Sequence, residues 1–216
     1  VDQESLDAVQ REAGRMSRMV NDLLLLVRAD NGELQVERYS LDLDGVVLEV
    51  YEQALILAKG RSLKMLLERI EPARILGNSD RLKQLLLNLV NNAIKFTGDG
   101  GKVALAVYVA QQHAVIDVTD TGIGIAEKDL RRIFDRFYQA DNSRVHHSDS
   151  DGAGLGLSIV RWIVEAHEGR IEVFSTLGEG TTFRVHLPLL AHHQPPPPTD
   201  TGDYAIVTGG QRQPDR

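Results

Sequence analysis

The sequence contains no cysteine, which removes a disulfide scaffold and any cysteine-ligated zinc site and suits a cytosolic compartment. It has no apolar run long enough to span a membrane. Its first residues, VDQESLDAV, have neither the basic start nor the apolar stretch of a signal peptide. A chain that starts at Val is expected to be a piece of a longer protein. Positive charge is also in deficit: 24 Lys and Arg against 31 Asp and Glu leave a formal net charge of −7. That argues against nonspecific binding to nucleic acid or to anionic membranes, while leaving room for a local basic pocket. What is present, 42% hydrophobic and 25% charged residues over 216, suits a globular chain of one or two domains with a sizeable core.

The clearest element is a helix over residues 2–29. Leu6, Val9, Ala13, Met16, Val20, Leu23 and Val27 are spaced alternately by three and four, a heptad seam that needs a partner helix from a hairpin mate or another subunit, with ordinary packing against the chain's own globular domain as the plainer alternative. Asp30-Asn31-Gly32 stops it. The pattern then predicts a short strand over 34–39, an amphipathic helix over 43–58 and a half-exposed strand over 63–70 ended by Pro72. A second strong helix follows over 80–96, with Ser79 or Asp80 as its cap. Two strands, 103–109 and 114–119, join in a hairpin near Gln111-Gln112, and short and longer helices are expected over 126–133 and 155–167. Two last strands, 170–175 and 181–187, meet at Gly178 and Gly180. Strands with intervening helices and antiparallel hairpins give an α+β class, a two-layer α/β sandwich. Residues 191–216, with consecutive prolines at 195–198, have little to bury and are expected to be a disordered tail.

Residues 115–125, VIDVTDTGIGI, are the stretch the rest is organised around. Strand periodicity puts Ile116, Val118 and Asp120 on one face, so the last inward position of a buried strand carries a carboxylate. Such a group persists only if hydrogen-bonded or paired. Gly122 and Gly124 beside it leave room for a close approach, and a ligand offering an N–H would fit. Read alone, the same residues also describe an Asp capping a helix that starts near Ala126.

Other motifs converge on phosphate chemistry. On the 80–96 helix, Leu82, Leu85, Leu89, Ala93 and Phe96 face the core, while Asn88, Asn92 and Lys95 fall within an arc of roughly 60° beside them. Two amides and an ammonium make a rail for phosphate and Mg²⁺, which takes few protein ligands; a polar helix flank is the plainer reading. GAGLGL at 152–157 opens a helix with alternating glycines, whose exposed N–H groups and dipole favour anions. It is not a P-loop, since no Lys-Ser or Lys-Thr follows. The polar run 141–151 before it reads as a lid or as a plain loop. IFDRFYQAD at 133–141 sets Phe134 and Phe137 one helical turn apart, as core or as an anchor for that lid.

With these residues placed, the chain resembles the catalytic part of a bacterial sensor histidine kinase, in the ATPase superfamily that also holds type II topoisomerases, MutL proteins and heat-shock chaperones. NLVNNAIKFT at 88–97, DTGIGI at 120–125, FDRF at 134–137, GAGLGL at 152–157 and GEGTTF at 178–183 stand in that family's order. The resemblance implies ATP and Mg²⁺ as cofactors, bound between a helical layer and a sheet under a mobile lid. It implies that Asp120 accepts from the adenine amine, that Gly122, Gly124 and Ile125 admit the nucleotide, and that Phe96 and Tyr138 lie by it. Asn92 and Asn88 would hold Mg²⁺, Lys95 and Arg144 the phosphates, and Gly152, Gly154, Leu155, Gly156 and Leu157 the phosphate cradle. Thr182 would sit at the adenine edge. Two departures are Ala153, where Thr is usual, and the acidic Asp149-Ser150-Asp151 at the end of the lid.

By the same resemblance, residues 1–32 are the second helix of the dimerisation and phosphotransfer hairpin and 33–190 the ATP-binding domain. The implied partners are a second copy and a response regulator receiver domain, with no nucleic acid, and the parent protein would be membrane-anchored. None of the histidines at 113, 146, 147, 167, 186, 192 and 193 has the acceptor's setting; only His167 is followed by an acid, and it lies where a helix enters a strand. The fragment is therefore expected to bind ATP without phosphorylating itself. Two other readings are a scaffold with an empty pocket that dimerises and docks a regulator, and an ATP-driven clamp, which would not carry the heptad helix.

Overall fold

The computed structural model describes residues 3–140 and 153–190. Helix α1, Gln3–Asp30, leads into strand β1, Tyr39–Asp42, and helix α2, Leu43–Leu57. Strands β2, Lys64–Ile70, and β3, Arg74–Gly77, precede helix α3, Ser79–Phe96. Strands β4, Lys102–Ala110, and β5, His113–Asp120, form the central hairpin. A single-turn helix α4, Glu127–Leu130, helix α5, Gly156–Ala166, and strands β6, Arg170–Thr176, and β7, Gly180–Pro188, complete the described chain.

The main sheet has the order β2-β4-β5-β7-β6. Its β2–β4 pair is parallel and the others antiparallel. Alternation decides which side chains meet the helices. Val103, Leu105, Val107, Ile116, Val118, Val185 and Leu187 join Leu82, Leu85 and Leu89 of α3 and Ile159 and Ile163 of α5 in one core. The opposite sheet face is polar: Arg184 grips Asp117 with two contacts of 2.8 Å, and the Thr119 and Thr182 hydroxyls meet at 3.0 Å. One helical layer on one sheet face is the expected two-layer α+β sandwich.

Several expected boundaries move. The first strand lies at Tyr39–Asp42 rather than 34–39, because it pairs with β3, a four-residue strand the pattern did not reveal. The cap of α3 is Asn78, whose side chain accepts from Arg81 N at 3.1 Å, not Ser79 or Asp80. The helix expected over 126–133 is one turn long; it starts behind Ala126, which supplies no side-chain cap, and an uncapped turn propagates poorly. Phe134 and Phe137 do not share a helical face: Phe134 is half-buried against the core, whereas Phe137 takes a left-handed φ of 62° and is 59% exposed. The 191–216 tail lies outside the described residues.

Helix α1 has two apolar faces. Leu25 and Leu26 are buried in the common core and Met19 packs against it. The heptad seam faces away, with Val9, Met16 and Val20 each more than half exposed.

Candidate functional site

Beneath the C-terminal end of β5, between α3, the start of α5 and the β6–β7 hairpin, lies a cavity of about 640 Å³. Asp120 lines it from the last position of β5 and is only 8% exposed. Its Oδ1 accepts from Gly122 N at 2.8 Å, and the Thr181 N–H also donates to the carboxylate. Burial pushes the Asp120 pKa above the ordinary carboxylate value, and those two N–H groups pull it partly back. Since α4 begins seven residues on, at Glu127, Asp120 is not its cap. The side chain is a strong acceptor facing a ligand-sized space.

The glycines around it answer to backbone packing. A Cβ on Gly122 would come within 2.4 Å of Phe96 O. Gly124 has φ +67° and a Cβ there would stand 2.1 Å from Thr176 O; Gly180, at φ +128°, would meet Asp120 O at 2.0 Å. The Ile123 N–H donates to Phe96 O at 3.1 Å, and Gly178 N–H donates to Ile123 O at 2.7 Å. The 120–125 turn is thus clamped between the end of α3 and the β6–β7 hairpin. The room expected at Gly122 and Gly124 is filled by the protein's own main chain, because three segments converge there.

The far end of the cavity is built from side chains. Asn88, Asn92 and Lys95 all line it from α3. Asn88 Nδ2 donates to Gly156 O at 3.3 Å, tying α3 to the start of α5, so the amide oxygen is the end that can ligate. Gly154, Leu155, Gly156 and Leu157 line the same wall, where the α5 N-terminus favours negative charge. Tyr138 donates its hydroxyl to Asp129 at 2.7 Å, with Arg132 stacked 4.4 Å from its ring centroid. Phe137 N–H donates to Gly154 O at 2.9 Å, and a Cβ on Gly154 would press within 2.8 Å of Phe137 C. The two sides of the 138–153 segment are therefore joined at their base.

The family model for "Histidine kinase-, DNA gyrase B-, and HSP90-like ATPase" matches residues 77–191. The chain belongs to this ATPase family. The phosphate regulon sensor protein PhoR of Pseudomonas aeruginosa is 35% identical over 182 residues, covering 84% of this chain and 41% of that protein. The sensor protein SrrB of Staphylococcus aureus is 35% identical over 189 residues, covering 86% of this chain and 31% of that protein. The chain therefore spans less than half the length of these relatives. Full-length ShkA in complex with AMPPNP superposes with a TM-score of 0.74 at 31% identity, over 88% of this chain and 39% of that one. The catalytic domain of the histidine kinase ThkA gives 0.61 at 28% identity over 70% and 95%. The histidine kinase AdeS of Acinetobacter baumannii gives 0.72 at 23% identity over 88% and 86% and shares the fold.

Most residues singled out in the sequence meet in this one cavity: Asn88, Asn92, Lys95, Phe96, Asp120, Gly124, Ile125, Tyr138, Gly154, Leu155, Gly156 and Leu157. Arg144 and Gly152 lie outside the described residues. Gly122 supports the carboxylate from behind the lining. Thr182 is a correction: its hydroxyl meets Thr119 on the polar sheet face, and Thr181 lines the cavity instead. The signal for this was available, since Phe183, Val185 and Leu187 point inward and Thr181 shares their phase. Leu177 and Phe183 also line the cavity, as do Arg18, Met19 and Asp22 of α1, which no motif indicated. Burial pushes the Asp22 pKa up against the opposing pull of Arg18.

Proposed function

We propose that this chain is the ATP-binding catalytic part of a two-component sensor histidine kinase. In this reading it passes the ATP γ-phosphoryl to a histidine on another helix, for relay to a response regulator receiver domain. The observation that carries the reading is the buried Asp120 carboxylate facing the same cavity as Asn88, Asn92, Lys95 and the start of α5. An acceptor at one end suits the adenine amine, and the row of amides and ammonium at the other suits a polyphosphate.

The chain's residues divide the work between the two ends. Asp120 accepts from the exocyclic amine, and the apolar Ile125, Phe96 and Leu177 exclude water around the base. Lys95 and the N–H groups at the head of α5 neutralise phosphate charge as the bond to the leaving β-phosphate oxygen breaks. The acceptor histidine supplies the electron pair and ADP leaves. The donor set fits Mg²⁺: Asn92 and Asn88 offer hard amide oxygens, and among the described residues no cluster of three or more acidic or histidine side chains could hold a metal. A Mg²⁺ here would take most ligands from phosphate and water, and it would supply charge neutralisation between the phosphates.

The described histidines are poor acceptors. His167 is buried, its Nε2 accepts from Asn78 N at 3.0 Å, and its protonated Nδ1 donates to Ile163 O at 2.7 Å. Burial lowers its pKa, which fits a neutral structural role. His186 pairs with Glu172 at 3.1 Å and has its ring edge-on to His113; none of the three lines the cavity. We assign the acceptor to a hairpin mate of α1. The exposed seam of Val9, Met16 and Val20 suits packing with that mate and with a second copy in a four-helix arrangement. We retain the division into a helix over 1–32, a catalytic domain over 33–190 and a tail over 191–216. Among the described residues no helix is long and apolar enough to cross a membrane, so membrane anchoring of the parent would fall to other segments.

A calorimetric titration with a non-hydrolysable ATP analogue, with and without Mg²⁺, tests the pocket. Mg²⁺-linked binding that Asp120→Asn sharply weakens is expected. Adding back a hairpin with an acceptor histidine should then give a phosphohistidine. ATP binding with persistent silence in that second assay would sink the kinase reading.

A further inference from the structure

Ser175, near the end of β6, belongs to none of the motifs and does not line the cavity, but it makes three hydrogen bonds. Its Oγ accepts from Ile125 N at 2.8 Å, lies 2.9 Å from Gly180 O and lies 2.9 Å from Thr181 Oγ1. A hydroxyl has one hydrogen and two lone pairs. A carbonyl oxygen only accepts, so the Ser175 hydrogen goes to Gly180 O. The Ile125 N–H takes one lone pair. The other can meet Thr181 only if the threonine hydroxyl is the donor. The single hydroxyl hydrogen of Thr181 therefore points at Ser175, and Thr181 Oγ1 keeps only lone pairs for anything that reaches it from the cavity. Thr181 lines that cavity beside Asp120, whose ionised carboxylate is also purely an acceptor and takes the Thr181 N–H.

We propose that Ser175 is a positioning residue for the base end of the nucleotide site: it joins the 120–125 turn to the β6–β7 hairpin and, through Thr181, leaves that wall with side-chain acceptors only. The proposal rests on the ATP reading of the cavity. A purine with an exocyclic amine offers hydrogens to such a wall. A purine with a carbonyl at the same position sets oxygen against oxygen there and carries its donor hydrogen on N1 instead, so it is disfavoured at the place the amine would occupy. When Ser175 is removed, the Thr181 hydroxyl can turn its hydrogen into the cavity, and the Ile125 N–H loses its acceptor.

The test titrates the full chain with non-hydrolysable analogues of ATP and of inosine triphosphate, which exchange donor and acceptor at that position and at the neighbouring N1. In Ser175→Ala the adenine analogue should bind about tenfold more weakly, the loss of about one hydrogen bond. The inosine analogue should lose less, so the adenine-to-inosine preference falls at least about threefold. Ser175→Thr, which keeps the hydroxyl, should restore the preference. Because Ser175 acts through Thr181, adding Ser175→Ala to Thr181→Val should leave the preference of Thr181→Val unchanged. Thermal unfolding without nucleotide checks that each variant folds, and Ser175→Gly carries the same expectation if Ser175→Ala does not. Equal weakening toward both analogues, or a fall in preference that persists in the Thr181→Val background, would overturn the proposal. Failure of the unaltered chain to bind either analogue would instead remove the ATP reading, and the proposal with it.

Discussion

At the base end of the cavity, Asp120, Gly124, Thr181 and Gly180 are held by main chain that nearly touches main chain. At the phosphate end, Asn88, Asn92 and Lys95 project from one face of α3 toward the head of α5, and a Cβ on Gly156 would meet Asn88 only at an ordinary 3.7 Å. In the proposed ATP reading, recognition of the base is thus inseparable from the fold, whereas the α3 side chains that would handle the phosphates can change singly. A substitution at the first end is expected to act on stability and binding together. At the second end a change to the α3 side chains or to Gly156 should act on binding alone, whereas Gly154, with φ +72° and a Cβ that would stand 2.8 Å from Phe137 C, belongs with the first group.

Glycine substitutions separate the two ends most sharply. Gly124→Ala and Gly180→Ala combine left-handed or otherwise strained φ with contacts near 2 Å, and each should lose about 2–4 kcal/mol of stability in chemical denaturation. Gly156→Ala should keep or gain up to about 1 kcal/mol while nucleotide affinity falls; equal destabilisation at both ends would break the comparison. Next, Asp120→Asn should weaken adenine nucleotide binding by about 1.5–3 kcal/mol, the worth of a charge-assisted bond. Asn92→Ala and Lys95→Ala should each weaken it about tenfold, with unfolding midpoints in denaturant close to the parent's and the Asn92 effect confined to titrations with Mg²⁺.

The pH response gives a finer distinction. The raised pKa of Asp120 means that the folded state holds this proton more tightly than the unfolded chain. This group's contribution to stability is therefore greatest below the ordinary carboxylate pKa and is lost as pH rises through the raised value. Nucleotide binding needs the ionised acceptor and runs the other way. The thermal stabilisation produced by the ATP analogue should shrink as pH falls toward the raised Asp120 pKa, before ordinary carboxylates titrate. The smallest effect is expected at the exposed Arg136–Asp30 pair, 2.6 Å apart: Arg136→Ala should barely move the melting temperature.

How far the sequence was legible follows the same divide. The inward carboxylate came from strand period alone, because Ile116 and Val118 set the phase for Asp120. The two stripes of α3 came from helix period, because the leucines and the Asn-Asn-Lys row lie at different angles. The β4–β5 turn was readable at Gln111, which indeed takes a positive φ of 56°. The β1–β3 pairing was not, since two four-residue strands separated by a helix and another strand carry no local signal. Nor was the purpose of Gly124 and Gly180, because a clash with a segment some fifty or sixty residues away is a tertiary fact. Family resemblance placed Thr182 at the pocket where plain alternation would have chosen Thr181. On α1, consecutive leucines from 23 to 26 satisfy any helical phase, so the face that packs on the domain was hidden behind the more regular seam.

The bond from Phe137 N–H to Gly154 O has a consequence for how this protein can vary. It joins positions 137 and 154 through main-chain atoms alone, so the link does not require particular side chains between them. Once two ends are held, each doubling of the chain between them costs only about 0.6 kcal/mol of closure entropy. A change of chain length between Ala140 and Ala153, both of which line the cavity, would therefore leave this main-chain link to the head of α5 in place.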